Sequence, residues 1–182
     1  LASFVVPDLD SASEVVDELL ALLPSSSSST PPTNPTSDPA DRLLTNIENI
    51  VPDTQTGSYD MREILAQIAD DEILTEIRKD WATNIITALC TINGNTVGIV
   101  ANQPQSLAGT LDISASQKGA RFVNFCDAFN VPIITFVDTP GFQPGKDLEW
   151  RGMIRHGAQL AFAYANATIP RICVTVRKSY GG

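Results

Sequence analysis

The sequence predicts an α/β fold in which a β-hairpin feeds a parallel sheet. Residues 85–92 and 96–100 are β-rich runs flanking Asn93-Gly94, a dipeptide suited to a tight hairpin turn. Residues 131–137 and 171–176 are short apolar runs of the kind found in strands covered on both faces. Helical stretches long enough to cross a sheet separate these runs. Strand, helix, strand, helix, strand at such lengths implies consecutive crossovers and a parallel arrangement.

The elements follow in order. Residues 11–23 predict an amphipathic helix opened by a Ser11/Glu14 capping box. Ala12, Val15, Val16, Leu19, Leu20 and Leu23 hold one face, and Pro24 stops it. Residues 25–39 are Ser-, Thr- and Pro-rich, cannot bury a core, and predict a linker extended over a surface without regular structure. A second helix is expected over 60–69, capped by Asp60 and Glu63, with Met61, Ile64, Leu65 and Ile68 on one side. After the hairpin, Ser114 and Gln117 are expected to open a helix carrying Ala115, Phe122, Val123, Cys126 and Phe129 on its apolar positions. The buried strand 131–137 leads into a Gly/Pro-rich loop, 139–146. One long helix over 148–167 follows, apolar nearly all round after Gly157 and so expected to be deeply covered. Within this chain it should still leave an exposed apolar patch beside the 102–110 loop. Arg171–Val176 predicts a last buried strand. Gly181-Gly182 then reads as the start of a loop, so the chain is expected to be a piece of a longer protein.

Composition narrows the function. The 182 residues include 12 bases and 21 acids, a formal charge of −9, with 43% apolar and 18% charged residues, an ordinary globular balance. Residues 1–80 carry 16 acids and 4 bases, whereas residues 81–182 carry 5 acids and 8 bases. Bulk charge argues against nucleic-acid binding and leaves the C-terminal half able to receive an anionic ligand. Cys90, Cys126 and Cys173 form no C-x-x-C pair, and one histidine completes no zinc set, so no metal is expected. Buried, reduced thiols in a cytoplasmic protein are the expectation. The opening LASFVVPDLD has no basic region of the signal-peptide kind. The uncharged stretch 81–111 is interrupted by Asn84, Asn93, Gly94, Asn95, Asn102 and Pro104, so it predicts no membrane span.

In open α/β sheets ligands gather beyond the carboxyl ends of the strands. Three such ends are legible: Ala101-Asn102-Gln103-Pro104, Asp138-Thr139-Pro140-Gly141-Phe142, and Arg177-Lys178-Ser179-Tyr180-Gly181-Gly182. None offers a nucleophile–base pair or a carboxylate dyad. They offer backbone N–H groups, which stabilise a developing oxyanion without proton chemistry. Asp138-Thr139-Pro140-Gly141 also matches the D-x-x-G switch of GTPases, but the chain has no G-x-x-x-x-G-K-[ST] loop and no N-K-x-D partner. His156 is a general-base candidate without an identifiable triad partner, and is expected to be hydrogen-bonded at a packed or subunit surface. Lys118, Arg121, Arg151 and Arg155 could meet phosphate or carboxylate groups and are expected on a solvated face. Asp70-Asp71-Glu72 reads as a solvated turn.

Seven motifs in order carry a resemblance. They are Tyr59-Asp60-Met61-Arg62-Glu63, Val97–Pro104 (VGIVANQP), Lys118-Gly119-Ala120-Arg121-Phe122, Phe125-Cys126-Asp127-Ala128-Phe129, Asp138–Gly145 (DTPGFQPG), Ile154-Arg155-His156-Gly157-Ala158 and Arg177–Gly182 (RKSYGG). Over residues 10–182 the chain resembles the carboxyltransferase β subunit of biotin-dependent acyl-CoA carboxylases of the propionyl-CoA or acetyl-CoA type. The resemblance implies a crotonase/ClpP-like ββαβαβ core. It assigns residues 1–24 to the last helix of a preceding carboxyltransferase domain, 25–40 to a linker, and 41–182 to the biotin-side domain, truncated at its C-terminal end. Ala88-Leu89-Cys90-Thr91, Leu148-Glu149-Trp150 and the serine run depart from the family pattern and leave the acyl specificity open.

The implied activity moves a carboxyl group from biotin, borne on a separate carrier, to the α carbon of a short acyl-CoA. The implied partners are a biotin carboxylase/biotin carrier subunit, the acyl-CoA, and further copies in a ring of six. Two oxyanion holes of backbone amides belong to this chemistry. The thioester one falls in the other domain, so this chain alone is not expected to turn over. The biotin-side one matches Gly181 and Gly182. Asn102, Gln103, Pro104, Gly141, Phe142 and Tyr180 are expected to line the biotin and substrate site. A biotin-dependent decarboxylase of the same family is the alternative among enzymes, and a non-catalytic assembly module the alternative of another class.

Overall fold

The computed structural model describes residues 2–54 and 56–180. Its centre is a five-stranded sheet in sequence order, built from β1 (Thr75–Glu76), β2 (Ile85–Ile92), β3 (Asn95–Asn102), β4 (Ile133–Thr139) and β5 (Arg171–Ser179). β1, β2 and β3 pair antiparallel, and β3, β4 and β5 pair parallel. The β2–β3 hairpin turns at Asn93 and Gly94, both with positive φ, as the Asn-Gly dipeptide requires. β2 is buried on both faces: Ile85 and Leu89 join one core, while Ile86, Ala88 and Cys90 join the other.

The first core is closed by α4 (Ile113–Ala128) and α6 (Met153–Asn166), and the second by α3 (Met61–Ile68). α4 and α6 approach so closely that a Cβ on Gly119 would stand 2.9 Å from a Leu160 methyl. α3 matches its sequence pattern: Met61, Ile64 and Leu65 are buried, and Asp60 caps it by accepting from the Arg62 N–H. The 25–39 segment has no helix and no named strand. It lies as a strap held by single contacts, a Thr33–Asn95 bridge and Asn130 Nδ2 donating to the carbonyls of Ser27 and Ser29.

Several expectations need correction. The first helix, α1 (Leu9–Leu22), is capped by Asp8, which accepts from the Ser11 N–H, and not by Ser11. None of its residues is fully buried, and Val16 and Leu20 of the expected apolar face are exposed. α4 is capped by Asp112, two residues before Ser114. The expected single helix over 148–167 is two, α5 (Lys146–Trp150) and α6, broken at Gly152 in the left-handed region (φ +88°). α6 is not deeply covered either: Met153, Gly157, Leu160 and Ala163 face the core, while Ile154 is 82% and Phe162 66% exposed. Trp150 on α5 and Leu107 in the 102–110 loop are exposed as well, and so is Phe142 in the loop after β4. β5 is an edge strand with Ile172 and Val174 exposed, not a buried one, and Cys173 is exposed while Cys90 and Cys126 are buried.

Two charged groups expected in solvent are interior. Lys118 is 0% exposed, and its ammonium donates to the carbonyls of Trp81 (2.9 Å), Ala82 (3.5 Å) and Ile85 (2.8 Å). Asp70 is buried and accepts from the Asn93 (2.8 Å) and Gly94 (2.7 Å) N–H groups, fastening the hairpin turn. Arg121, Arg151 and Arg155 are exposed as expected. A short further helix, α2 (Ile47–Ile50), lies before α3. No helix among the described residues is long and apolar enough to cross a membrane.

Candidate functional site

The carboxyl ends of β3, β4 and β5 come together, as parallel topology demands. Loop 140–143 is pinned there: Leu111 N–H donates to the Gly141 carbonyl (3.0 Å), and Gln143 N–H returns to the Leu111 carbonyl (2.9 Å). Gly141 (φ +112°) and Gly109 (φ +74°) take conformations side chains rarely adopt, and a Cβ on Gly109 would press to 2.6 Å from the Asp138 carbonyl. The Thr139 hydroxyl donates to the Gly109 carbonyl (2.7 Å) and accepts from the Gly141 N–H (3.1 Å), locking both loops to the end of β4.

Beside these ends opens an apolar cavity of about 260 Å³ between the sheet and α6. Val100, Leu111, Phe136, Phe142, Leu160 and Tyr164 are among the large side chains of its wall. The Phe142 ring lies against Gly157, where an added Cβ would stand 3.0 Å from it. Burial pushes the Tyr164 hydroxyl up to about 12, so it is neutral and shares a 2.7 Å hydrogen bond with Thr135. A second groove, about 480 Å³, runs between α4 and α6 away from the strand ends. Amides line it, with Arg121 the one ionisable residue in its wall.

The predicted site residues divide. Phe142 lines the cavity, Gly141 shapes its rim, and Tyr180 is exposed at the end of β5, its N–H on the Thr139 carbonyl (3.2 Å). Asn102 reaches the cavity wall, but its amide is engaged internally: Nδ2 donates to the Gly109 carbonyl (3.0 Å), and Oδ1 accepts from the Asp138 N–H (3.3 Å). Gln103 is buried, accepting from the Met61 N–H and donating to Asp60, so it ties β3 to the start of α3. Pro104 is buried, and its carbonyl accepts from Ser58. Gly181 and Gly182 lie outside the described residues. His156 sits on α6 with its Nδ1 3.2 Å from Gln117 Nε2 and 3.1 Å from Gln159 Oε1, and its tautomer decides whether it accepts from the first or donates to the second.

The group that sequence reasoning missed is Asp138. Its carboxylate is fully buried and takes the Tyr59 hydroxyl (2.8 Å), Arg177 Nε (3.1 Å) and the Lys178 N–H (3.1 Å). Desolvation first, and then the bond to this carboxylate, hold the Tyr59 phenol far above its ordinary pKa, so it stays protonated and donates to Asp138. The available signal was an acid directly following an apolar strand, which must be paired if buried. The described residues bring together no group of three or more metal-ligating side chains.

Residues 1–182 match the family model for the carboxyl transferase domain, and the chain belongs to that family. Among its relatives, the propionyl-CoA carboxylase beta chain of Cereibacter sphaeroides is 49% identical over 167 residues, covering 92% of this chain and 33% of its own length. The methylmalonyl-CoA decarboxylase subunit alpha of Veillonella parvula is 44% identical over 182 residues, covering all of this chain and 36% of its own. Among solved structures, the transcarboxylase 12S hexamer with methylmalonyl-coenzyme A and methylmalonic acid bound superimposes with a TM-score of 0.95. It is 43% identical, covering 99% of this chain and 35% of that one. The chain thus spans about a third of the length of these relatives. The five-stranded α/β architecture is that of this crotonase-like carboxyltransferase fold.

Proposed function

We propose that this chain supplies the biotin-side part of an acyl-CoA carboxyltransferase, which moves a carboxyl group between biotin on a carrier and the α carbon of a short acyl-CoA. The observation that carries the reading is the 0.95 superposition on a carboxyltransferase holding methylmalonyl-coenzyme A. The chemistry of the strand ends agrees with it. Among the described residues the cavity wall is apolar, its rim is pinned backbone, and no histidine, lysine or carboxylate lines it, which suits a reaction whose charge develops on oxygen and is met by amides.

Biotin brings the carboxyl group on a planar, polar ureido ring fused to an apolar thiophane ring. The apolar cavity under Phe142 offers a wall of matching character, with Gly141 keeping the rim free of side chains. Gly181 and Gly182 are assigned the amides for the ureido oxygen, and glycine there lets a ring lie against bare backbone. Asn102 fastens the Gly109 loop to the end of β4, Gln103 and Pro104 are engaged with the Ser58–Met61 segment, and Tyr180 borders the site. The thioester oxyanion hole is assigned to another domain of the full-length protein. A biotin-carrying partner and a ring of six copies belong to the same reading.

The test is Gly182→Val in the full-length protein, measuring carboxyl transfer from methylmalonyl-CoA to free biotin. Transfer is expected to fall about 10²-fold or more, with acyl-CoA affinity near normal. A variant that folds, assembles and transfers at the wild-type rate would remove the assignment, and a loss confined to acyl-CoA affinity would exchange the two oxyanion holes. The relative from Veillonella parvula, matched over the whole chain, supports a second reading as a decarboxylase subunit. Net acyl-CoA carboxylation with labelled bicarbonate by the assembled enzyme distinguishes the two, and a protein inactive in both directions would be an assembly module.

A further inference from the structure

The sheet contains a defect at the candidate site. β4 and β5 pair regularly from Ile133–Arg171 to Val137–Thr175, and the pairing then jumps to Thr139–Ser179. Asp138 alone therefore stands opposite Val176, Arg177 and Lys178, where a regular ladder would place a single residue. Asp138 also fills the gap that this creates. Its Oδ1 accepts the Lys178 N–H (3.1 Å), and its Oδ2 accepts both the Tyr59 hydroxyl (2.8 Å) and Arg177 Nε (3.1 Å). Arg177 directs its other nitrogens to the Thr54 (2.8 Å) and Gly57 (2.9 Å) carbonyls and lies 5.2 Å over the Tyr59 ring. Beyond the bulge, the Tyr180 N–H returns to the Thr139 carbonyl.

Bulges bend a strand and re-aim the residues beyond them, and they recur beside active sites. At about 3.3 Å per residue, the two extra residues draw the end of β5 back by roughly 6–7 Å along the strand. The chain thus leaves the sheet level with Thr139, next to Gly141 and the cavity. Without the bulge Thr139 would face Arg177, and Tyr180 would project beyond this level. A carboxylate and a guanidinium this deeply placed hold one geometry, because neither tolerates losing its partner.

We propose that Asp138, with Tyr59 and Arg177, is the positioning residue of the carboxyl-transfer site, holding the bulge that sets where the chain leaves the sheet at Tyr180. This role rests on the carboxyltransferase reading. The three side chains act through the strand that they hold.

The experiment uses the full-length protein, with kcat and KM for transfer from methylmalonyl-CoA to free biotin, and hydrogen exchange at the Lys178–Tyr180 amides. Tyr59→Phe keeps the ring and removes one hydrogen bond. It should lower kcat about tenfold, leave the methylmalonyl-CoA KM within about twofold, and speed exchange at these amides. Arg177→Ala should lose about a hundredfold in kcat, partly restored by millimolar guanidinium and not by equal sodium chloride. The proposal is overturned if Tyr59→Phe retains wild-type kcat and exchange, or if the loss in Arg177→Ala ignores guanidinium and tracks only a lowered Tm. Should Arg177→Ala not fold, Tyr59→Phe decides alone. A wild-type protein inactive in transfer would overturn the carboxyltransferase reading and the role with it, while exchange in the variants still reports whether the cluster holds the bulge.

Discussion

Lys118 offers the sharpest test of how this fold is held together. Its ammonium is sealed beneath the 81–85 segment and donates to three main-chain carbonyls, two of them at 2.8–2.9 Å. Lys118→Met keeps the length and the apolar stem but removes every donor. A buried acceptor left unpaired costs about 1–3 kcal/mol. With the two short bonds counted and the 3.5 Å bond to Ala82 given little weight, the expected loss is about 2–6 kcal/mol. Urea unfolding monitored by circular dichroism measures it, and a loss below about 1 kcal/mol would refute the view that these carbonyls depend on Lys118.

The same residue sets a pH signature. Burial pushes the Lys118 ammonium down from 10.5 to about 8. Between those values the unfolded chain holds a proton that the folded chain has released, so this residue's contribution makes stability rise with pH from about 8 to 10.5 and level off above. The neutral amine still donates two N–H groups, enough for the Trp81 and Ile85 carbonyls. The rise should be absent in Lys118→Met, and an identical pH profile in variant and wild type would refute it.

Packing and the assigned chemistry give three further outcomes. Gly98→Ala places a Cβ 2.6 Å from the Cys126 sulfur and should lower stability by about 1–3 kcal/mol, with Cys126→Ala in the same chain restoring part of it; additive losses in a double-mutant cycle would contradict the contact. Asp70→Ala strips both N–H groups of the hairpin turn of their acceptor and should cost about 2–4 kcal/mol in chemical unfolding, whereas a neutral result would mean water takes the carboxylate's place. Gly182→Val should reduce carboxyl transfer far more than acyl-CoA binding, measured side by side in the full-length protein.

Much of the architecture was legible because it is local. Asn93-Gly94 fixes its hairpin through the φ values its own residues prefer, and Asp60 caps α3 through an N–H two residues away. The loops at the strand ends were legible too, since Gly and Pro mark them and parallel topology gathers them on one side. Cap positions slipped where two polar residues compete: Asp8 displaces Ser11, and Asp112 displaces Ser114, because a carboxylate favours the positive end of a helix.

What only the tertiary structure decided are the relations between distant segments. An apolar run announces a strand but not its cover, so the exposure of β5 and of Ile154 and Phe162 could not be read from their periodicity. Charge announces solvation until a partner far along the chain removes the need for it. Lys118 finds carbonyls more than thirty residues away, Asp70 a turn more than twenty away, and Asp138 a tyrosine 79 residues upstream. Sequence alone determined the family and the order of the strands, since those come from local conformational preference and ordered motifs. The bulge at Asp138 and the buried lysine arise when burial forces charged groups to find partners, and the partners are chosen by the fold.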